Sequence, residues 1–170
     1  IKPGKWPMEF TRESFNLKYE NVTFETSDGL KLEGWFLPGN KNNNTIIVMH
    51  GYPTNKADVL PFSIFLVKKF NVFLFDFRSF GKSEGKYTTV GYLEKNDLLG
   101  AISYLEKEKN MTKIGLYGFS LGGAVALMTG HNNIKAIVSD SAYAKLSDMA
   151  EHMYSPFFIL KYPLAYLEKL

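Results

Sequence analysis

The sequence contains no cysteine among its 170 residues. Disulfide bonds, thiol catalysis and cysteine metal sites are therefore excluded for these residues, and the redox compartment cannot be inferred from cysteine usage. No uninterrupted apolar run approaches the roughly 18 residues that a membrane-spanning helix needs. The basic residues are scattered at a formal net charge of +3. Because they form neither a clustered patch nor a recognition motif, the sequence does not predict nucleic-acid binding.

Histidine is also scarce, and the three histidines form no metal-binding pattern. His50, His131 and His152 lack the paired spacing of a zinc site. Phosphate binding is equally unsupported, because the glycine-rich stretch 118–123 lacks a Walker lysine with a following Ser or Thr. Dinucleotide binding would need G-x-G-x-x-G after the first strand of the sheet, and no segment fits. The sequence therefore predicts neither a metal nor another cofactor.

Apolar residues make up 45% of the chain and aromatic residues 15%, which is enough to bury the core of one domain. Continuous apolar runs at 45–49 and 71–75 are typical of strands that are covered on both faces, and residues 134–139 are again strand-like. Amphipathic helices are predicted between them, over 58–70 and 90–109. This alternation predicts an α/β fold, with a mostly parallel sheet and helices on both of its faces.

Two segments ahead of this alternation predict an antiparallel hairpin at the N-terminal edge of the sheet. Residues 21–26 and 30–37 alternate apolar and polar side chains around the turn Ser27-Asp28-Gly29. Such alternation is typical of strands with one face in water.

The stretch with the clearest chemical meaning is a predicted strand, 113–117, that runs directly into a predicted helix, 121–128, through the sequence GFSLG. This is the G-x-S-x-G pattern in a strand–turn–helix context. We expect Ser120 to adopt a strained backbone conformation at the turn. Glycine is required at positions 118 and 122, because a side chain there would collide with the crossing strand and helix. The helix start would bring N–H groups and a positive dipole end beside the serine. The alternative is a glycine-rich turn with an incidental serine.

Three motifs, in this order along the chain, resemble the α/β-hydrolase family. They are HGYP at 50–53 after the third strand, DFRSFGKS at 76–83 after the fourth, and GFSLG after the fifth. The resemblance as a whole covers residues from about 20 to 145. The chain is most similar to small esterases, lipid hydrolases and serine-peptidase-like hydrolases, whose sixth strand ends in a motif similar to SDSAY at 139–143. The resemblance implies a serine hydrolase that cleaves a small-molecule ester, thioester or amide through an acyl-serine intermediate at Ser120.

Acyl transfer normally requires two backbone N–H donors that bind the oxyanion. The N–H of Leu121, next to the nucleophile, is one candidate. The resemblance points to Tyr52 as the other, since Pro53 has no N–H, and Gly51 is the alternative. In the same resemblance His50 and Gly51 support the loop, and the alternative for His50 is the general base.

Asp76 and Arg78 follow the fourth strand, at the sheet edge where α/β proteins bind ligands. Either could touch substrate, but the expected role is an ion pair that holds the loop through Gly81. Four aromatic residues are candidates to line an acyl pocket, with ordinary core or rim packing as the alternative. They are Tyr52, Phe77, Phe80 and Phe119.

The family triad runs Ser, then Asp or Glu, then His, and the resemblance places the acid after a seventh strand and the histidine after an eighth. The chain stops at Leu170, soon after the sixth strand, so both are expected beyond it. Asp140 is an in-chain candidate for the acid, although its SDSAY context favours a role in shaping the cap hinge. His131 is predicted to lie at the far end of the helix that follows the serine, and His152 would need an unusual fold-back.

The expected organisation is a hydrolase core at 1–145, the start of a cap at 146–170, and a remainder that this chain lacks. Without the histidine base, the chain alone is predicted to be inactive. Its sixth strand, 134–139, is expected to be a bare edge that associates with the missing C-terminal segment or with another copy. Since the first residue is isoleucine, the natural N-terminus is expected to be missing, and the localisation stays open, with the cytoplasm favoured.

Two other functions compete with the soluble serine hydrolase. One is a non-catalytic domain of the same fold that only binds a ligand or partner. The other is a membrane-associated lipid hydrolase that uses the aromatic cap segment 154–167 as an interfacial surface.

Overall fold

The computed structural model describes residues 2–3, 15, 17–39 and 43–147, so the predicted cap lies outside the described residues from position 148 onward. Within these residues the chain forms six strands, three α-helices and a 3₁₀ segment. In chain order the elements are β1 (Glu20–Glu25), β2 (Lys31–Leu37), β3 (Asn44–Met49), α1 (Lys56–Val59), the 3₁₀ segment (Ile64–Lys68), β4 (Asn71–Phe75), α2 (Glu94–Lys109), β5 (Lys113–Phe119), α3 (Leu121–Met128) and β6 (Ile134–Asp140).

The strands form one sheet in the order β1-β2-β4-β3-β5-β6. β3 pairs in parallel with both β4 and β5, and β5 pairs in parallel with β6. β1 and β2 are antiparallel to each other, and β2 is antiparallel to β4. The predicted mostly parallel sheet with an antiparallel N-terminal hairpin is therefore confirmed. Within the part of the chain that the structure describes, β6 lies at one edge of this sheet.

Both faces of the central strands are covered, as their apolar runs require, but residues 135–138 of the edge strand β6 are exposed. All five residues of β4 are buried, whereas β1 alternates and leaves its polar side chains in water. One core lies between the sheet and the helices α2 and α3, and its members include Phe24, Ile47, Phe73, Leu98, Ile102 and Val125. A second core lies between the other face and α1 with the 3₁₀ segment, and its members include Trp35, Val48, Ala57, Leu60 and Leu74.

The helix predicted over 58–70 is interrupted. α1 ends at Val59, and the chain becomes helical again only in the 3₁₀ segment. Pro61 explains the break, because it has no N–H to donate to the carbonyl of Ala57, which accepts the N–H of Leu60 at 3.3 Å instead. α1 begins with a capping box in which Asn55 and Asp58 each accept a backbone N–H from the other end of the turn.

The second predicted helix begins four residues later than the sequence pattern indicates. Val90 and Gly91 have φ angles of 51° and 115°, which lie outside the helical region. The carboxylate of Glu94 accepts the N–H groups of Thr89 and Gly91, at 3.0 and 2.7 Å. The acidic side chain of the first helical turn therefore orders the segment that precedes α2.

No helix among the described residues has the length and apolar character to cross a membrane.

Candidate active site

Ser120 lies between β5 and α3 with no intervening loop residue. Its φ and ψ angles are 48° and −108°, a combination that few residues other than glycine adopt. Its backbone N–H donates to the carbonyl of Asp140 at 2.8 Å, and its own carbonyl accepts the N–H of Ala124 at 2.9 Å. The serine is half-buried and is held in its strained conformation by β6 on one side and α3 on the other.

The two glycines around the serine lie where elements cross at close range. A Cβ added at Gly118 would lie 2.3 Å from the backbone carbon and oxygen of Gly122. A Cβ added at Gly122 would lie 2.6 Å from the carbonyl oxygen of Met49, at the end of β3. Because real Cβ contacts are much longer, only glycine allows the strand, the turn and the helix to approach this closely.

The loop after β3 lies against the serine. A Cβ at Gly51 would approach the Cβ of Ser120 to 3.2 Å, and the N–H of Gly122 donates to the carbonyl of His50 at 3.2 Å. The backbone N–H groups of Tyr52 and Leu121 donate to no acceptor in the described part of the chain. Two backbone donors, one next to the serine in sequence and one in the loop that lies against it, therefore have no protein acceptor among the described residues.

His50 is fully buried, and both of its ring nitrogens are engaged. The N–H of Phe77 donates to Nε2 at 3.1 Å, and Nδ1 lies 2.7 Å from the carbonyl oxygen of Gly51. Since Nε2 accepts, Nδ1 carries the hydrogen that it donates to Gly51. Burial lowers the pKa of His50 below its ordinary value. A neutral histidine thus ties the loop after β3 to the loop after β4, and neither ring nitrogen is free for Ser120.

Asp76 joins the same two loops from the end of β4. One carboxylate oxygen accepts the backbone N–H of Lys56 at 2.9 Å, and the other forms an ion pair with Nζ of that lysine. The second oxygen also accepts the N–H of Lys82 at 3.1 Å, and a Cβ at Gly81 would lie 2.0 Å from it. The side chain is fully buried.

Arg78 does not pair with Asp76, in contrast to the expected ion pair. Its guanidinium instead contacts both Asp97 of α2, at 2.7 Å, and Asp28 of the β1–β2 turn, at 2.8 Å. Hydrogen bonds from Arg78 lower the pKa of the half-exposed Asp28 to about 2, whereas burial raises the pKa of Asp97 to about 6. The side chains of residues 76 and 78 leave the loop toward different neighbours, so they cannot pair with each other.

The remaining acid and base candidates occupy different ends of β6. Asp140 lies at the C-terminal end of β6, where its backbone carbonyl accepts the N–H of Ser120. The carboxylate of Asp140 accepts a hydrogen bond from the hydroxyl of Ser141 at 2.8 Å. His131 precedes β6 and lies 3.6 Å from the carboxylate of Glu106. The seven residues of β6 separate the two ends by about 20 Å at the rise of a strand, so His131 cannot reach the serine. His152 lies outside the described residues.

The four aromatic candidates for an acyl pocket separate into two groups. Phe77 and Phe80 are buried in the core, where both rings pack 5.1 Å from the His50 ring. Tyr52 and Phe119 are partly exposed. Only the second pair is accessible to a ligand.

Two cavities in the described structure lie away from the serine. One, of about 690 Å³, is lined by Asp28, Arg78 and the segment 82–87. The other, of about 360 Å³, lies between α3 and the segments on either side of it, and its lining includes Met128 and Tyr143. No cluster of three or more potential metal ligands occurs among the described residues.

Sequence reasoning missed Lys56, whose side chain is only 2% exposed. A lysine at the start of a short helix normally lies in water. The capping pattern of Asn55 and Asp58 predicts where the helix starts, but no local signal reveals that the lysine points inward.

Residues 44–168 match a family model described as the alpha/beta hydrolase fold. The uncharacterized protein YfhR of Escherichia coli O157:H7 is 36% identical over 146 residues, which cover 79% of this chain and 51% of that protein. The thiohydrolase aneE of Aspergillus aculeatus is 33% identical over 123 residues, covering 69% of this chain and 39% of that protein.

A structure of the esterase Pf2001 of Pyrococcus furiosus superposes with a TM-score of 0.84 at 31% identity, covering 99% of this chain and 67% of that one. The chain spans about half the length of the curated relatives that it matches.

Proposed function

The chain belongs to the α/β-hydrolase family, and we propose that it carries the nucleophile of a serine hydrolase. In this proposal Ser120 attacks the carbonyl carbon of an ester, thioester or small amide, and the alcohol, thiol or amine leaves. Water then hydrolyses the acyl-serine intermediate, which releases the acid and restores the serine. No cofactor takes part in these steps.

One observation carries the proposal. Ser120 has a strained backbone conformation, and two backbone N–H groups have no acceptor among the described residues, that of the adjacent Leu121 and that of Tyr52 in the loop that lies against the serine. Backbone strain persists only where the surroundings over-determine it, and it concentrates at functional sites. A tetrahedral oxyanion would supply the acceptor that both N–H groups lack, and removing one such donor costs an acyl-transfer enzyme about 10²–10³-fold in kcat.

We propose that this chain is part of a longer protein, as its coverage of about half of its relatives suggests. The general base and its acid partner would lie in the rest of that longer protein. His50 has no free ring nitrogen, and His131 lies at the opposite end of β6 from the serine. We therefore propose that the 170-residue chain by itself is inactive, since loss of the triad histidine costs a serine hydrolase on the order of a million-fold in kcat. Rapid turnover of a p-nitrophenyl ester by the 170-residue chain alone would contradict this.

Esters and thioesters are the favoured substrates within this class. Two matches, each above 30% identity, are an esterase and a thiohydrolase by description. Both reactions proceed through the same tetrahedral intermediate, so the same pair of N–H donors serves either one.

The test is labelling of the longer protein with a fluorophosphonate probe, which reacts only with an activated serine. We expect the wild-type protein to be labelled at Ser120 and the Ser120→Ala variant to be unlabelled. Ser141→Ala is a matched control, because Ser141 is a nearby exposed serine that also has a positive φ angle of 56°, and it should be labelled like the wild type. Equal labelling of Ser120→Ala and wild type would refute the nucleophile.

The two competing functions give different results in the same experiment. A non-catalytic binding domain would show no labelling at any serine. A membrane-associated lipid hydrolase would be labelled at Ser120 and would also sediment with liposomes.

A further inference from the structure

The loop that carries Tyr52 is anchored at both of its ends. At the first end, His50 accepts the N–H of Phe77. At the other end, Lys56 contacts Asp76 through both its backbone N–H and its Nζ. Both anchors thus attach to consecutive residues of the loop after β4, and the five residues 51–55 span the distance between them.

The Lys56–Asp76 pair is unusually deeply buried. The two side chains are 2% and 0% exposed, and the lysine Nζ also lies 5.0 Å from the centroid of the Trp35 ring. Burying two charges costs free energy that their mutual attraction often does not recover, and apolar residues of similar size commonly stabilise a fold at least as well. Stability alone therefore gives no reason for a lysine at this position.

The surrounding contacts indicate what the pair holds in place. Asn55 caps α1 by accepting the N–H of Ala57 at 2.9 Å, and its own N–H donates to Asp58 at 2.9 Å. The pair with Asp76 therefore anchors an ordered turn and not a lone side chain. Thr54 closes the other part of the loop, because its hydroxyl donates to the carbonyl of Gly51 at 3.1 Å.

We propose that Lys56, through its buried ion pair with Asp76, is a positioning residue that holds the Tyr52 N–H where the oxyanion forms. The proposal rests on the proposed function. Lys56 itself does not touch the substrate, because its Nζ is paired with a buried carboxylate and lies over the Trp35 ring.

The expected effect follows from the difference between ground state and transition state. The oxyanion exists only in the transition state and the tetrahedral intermediate, so a misplaced donor lowers kcat and leaves KM nearly unchanged. Complete loss of one donor costs about 10²–10³-fold. Because His50 still anchors the other end of the loop, we expect loss of the Lys56 anchor to lower kcat by about 10–100-fold.

The experiment compares Lys56→Met and Lys109→Met in the longer protein, with p-nitrophenyl acetate as substrate. Lys109 is a matched control, because it also pairs with a carboxylate, that of Glu20, and also lies over an aromatic ring of β2, with Nζ 4.8 Å from the Phe36 centroid. It lies at the opposite edge of the sheet from Ser120. We expect Lys56→Met to lower kcat at least tenfold with KM within threefold, and Lys109→Met to match the wild type.

A second readout does not depend on catalysis. Amide hydrogen exchange of the segment 50–56 should become at least fivefold faster in Lys56→Met and stay unchanged in Lys109→Met. If the single variant fails to fold because Asp76 is left buried without a partner, the double variant Lys56→Met with Asp76→Asn removes both charges. The double variant should show the same loss of kcat and the same faster exchange.

The outcomes separate the two proposals. If the wild-type protein is not labelled by the fluorophosphonate, the proposed function fails, and hydrogen exchange alone decides whether Lys56 anchors the loop. If the wild type is labelled and a folded Lys56 variant keeps kcat within twofold, the positioning role is refuted. A raised KM with unchanged kcat, or unchanged exchange at 50–56, refutes it as well.

Discussion

Replacing Ser120 with glycine should stabilise the protein relative to replacing it with alanine. Both variants lack the hydroxyl, so the comparison isolates the backbone. The φ angle of 48° with ψ of −108° lies in a region where a residue with a Cβ costs about 1–3 kcal/mol. Glycine adopts it without that cost.

The magnitude follows from two opposing terms. Glycine relieves about 2 kcal/mol of strain, taking the middle of that range, but its more flexible unfolded state costs about 0.7 kcal/mol relative to alanine. The difference leaves Ser120→Gly more stable by about 1.3 kcal/mol. For a protein of this size, about 1 kcal/mol shifts Tm by about 2–4 °C, so we expect a Tm about 3–5 °C above that of Ser120→Ala.

The assay is thermal unfolding of both variants, followed by circular dichroism under identical conditions. Ala136→Gly serves as the control, since Ala136 is an exposed residue of β6 without a positive φ angle. There the same change to glycine should lower stability by about 0.5–1 kcal/mol. If Ser120→Gly melts at or below the Tm of Ser120→Ala, the serine position stores no strain and the reasoning is wrong.

Three further changes test other parts of the structure. Gly118→Ala would place a Cβ 2.3 Å from the Gly122 backbone and should lower the free energy of unfolding by about 3 kcal/mol or more. Gly130→Ala is the control, because no atom lies within 4 Å of the added Cβ, and it should change the free energy of unfolding by less than about 0.5 kcal/mol. Equal Tm values for the two variants would contradict this. Because Arg78 lowers the pKa of Asp28 to about 2, the ionised Asp28 stabilises the fold above pH ~4 and this stabilisation is lost as the pH falls toward 2. The Tm difference between wild type and Asp28→Asn should therefore shrink over that interval, and a constant difference would disprove the pairing. We also propose that the 170-residue chain self-associates through β6, where Val138 is 56% exposed; Val138→Lys should reduce association in sedimentation velocity, and a wild-type chain that is a stable monomer would rule it out.

The strand–turn–helix around Ser120 could be predicted from the sequence because its signals are local. The helix α3 has the predicted bounds, Leu121–Met128, and β4 likewise has the predicted bounds, Asn71–Phe75. Apolar runs bounded by glycine or polar turns allow few alternatives to buried strands. The steric need for Gly118 and Gly122 also follows from their spacing alone.

Helix starts and breaks were less predictable. The pattern of apolar residues continues through Val90 and Gly91, but their positive φ angles exclude a helix there. In this conformation the N–H of Gly91 donates to the Glu94 carboxylate. The apolar pattern describes which face of a segment is buried, and it does not describe the hydrogen bonds that begin a helix.

Residue chemistry and spacing by themselves determined the fold class, the strained turn and the candidate nucleophile, because each depends on neighbours within a few positions. Tertiary structure alone decided that Lys56 is buried against Asp76 and that Arg78 contacts Asp28 and Asp97. These partners lie 19 to 50 positions apart. From the sequence alone, a charged side chain is predicted to lie in water. Only the packing of distant strands and helices determines which charged side chain is buried and which residue pairs with it.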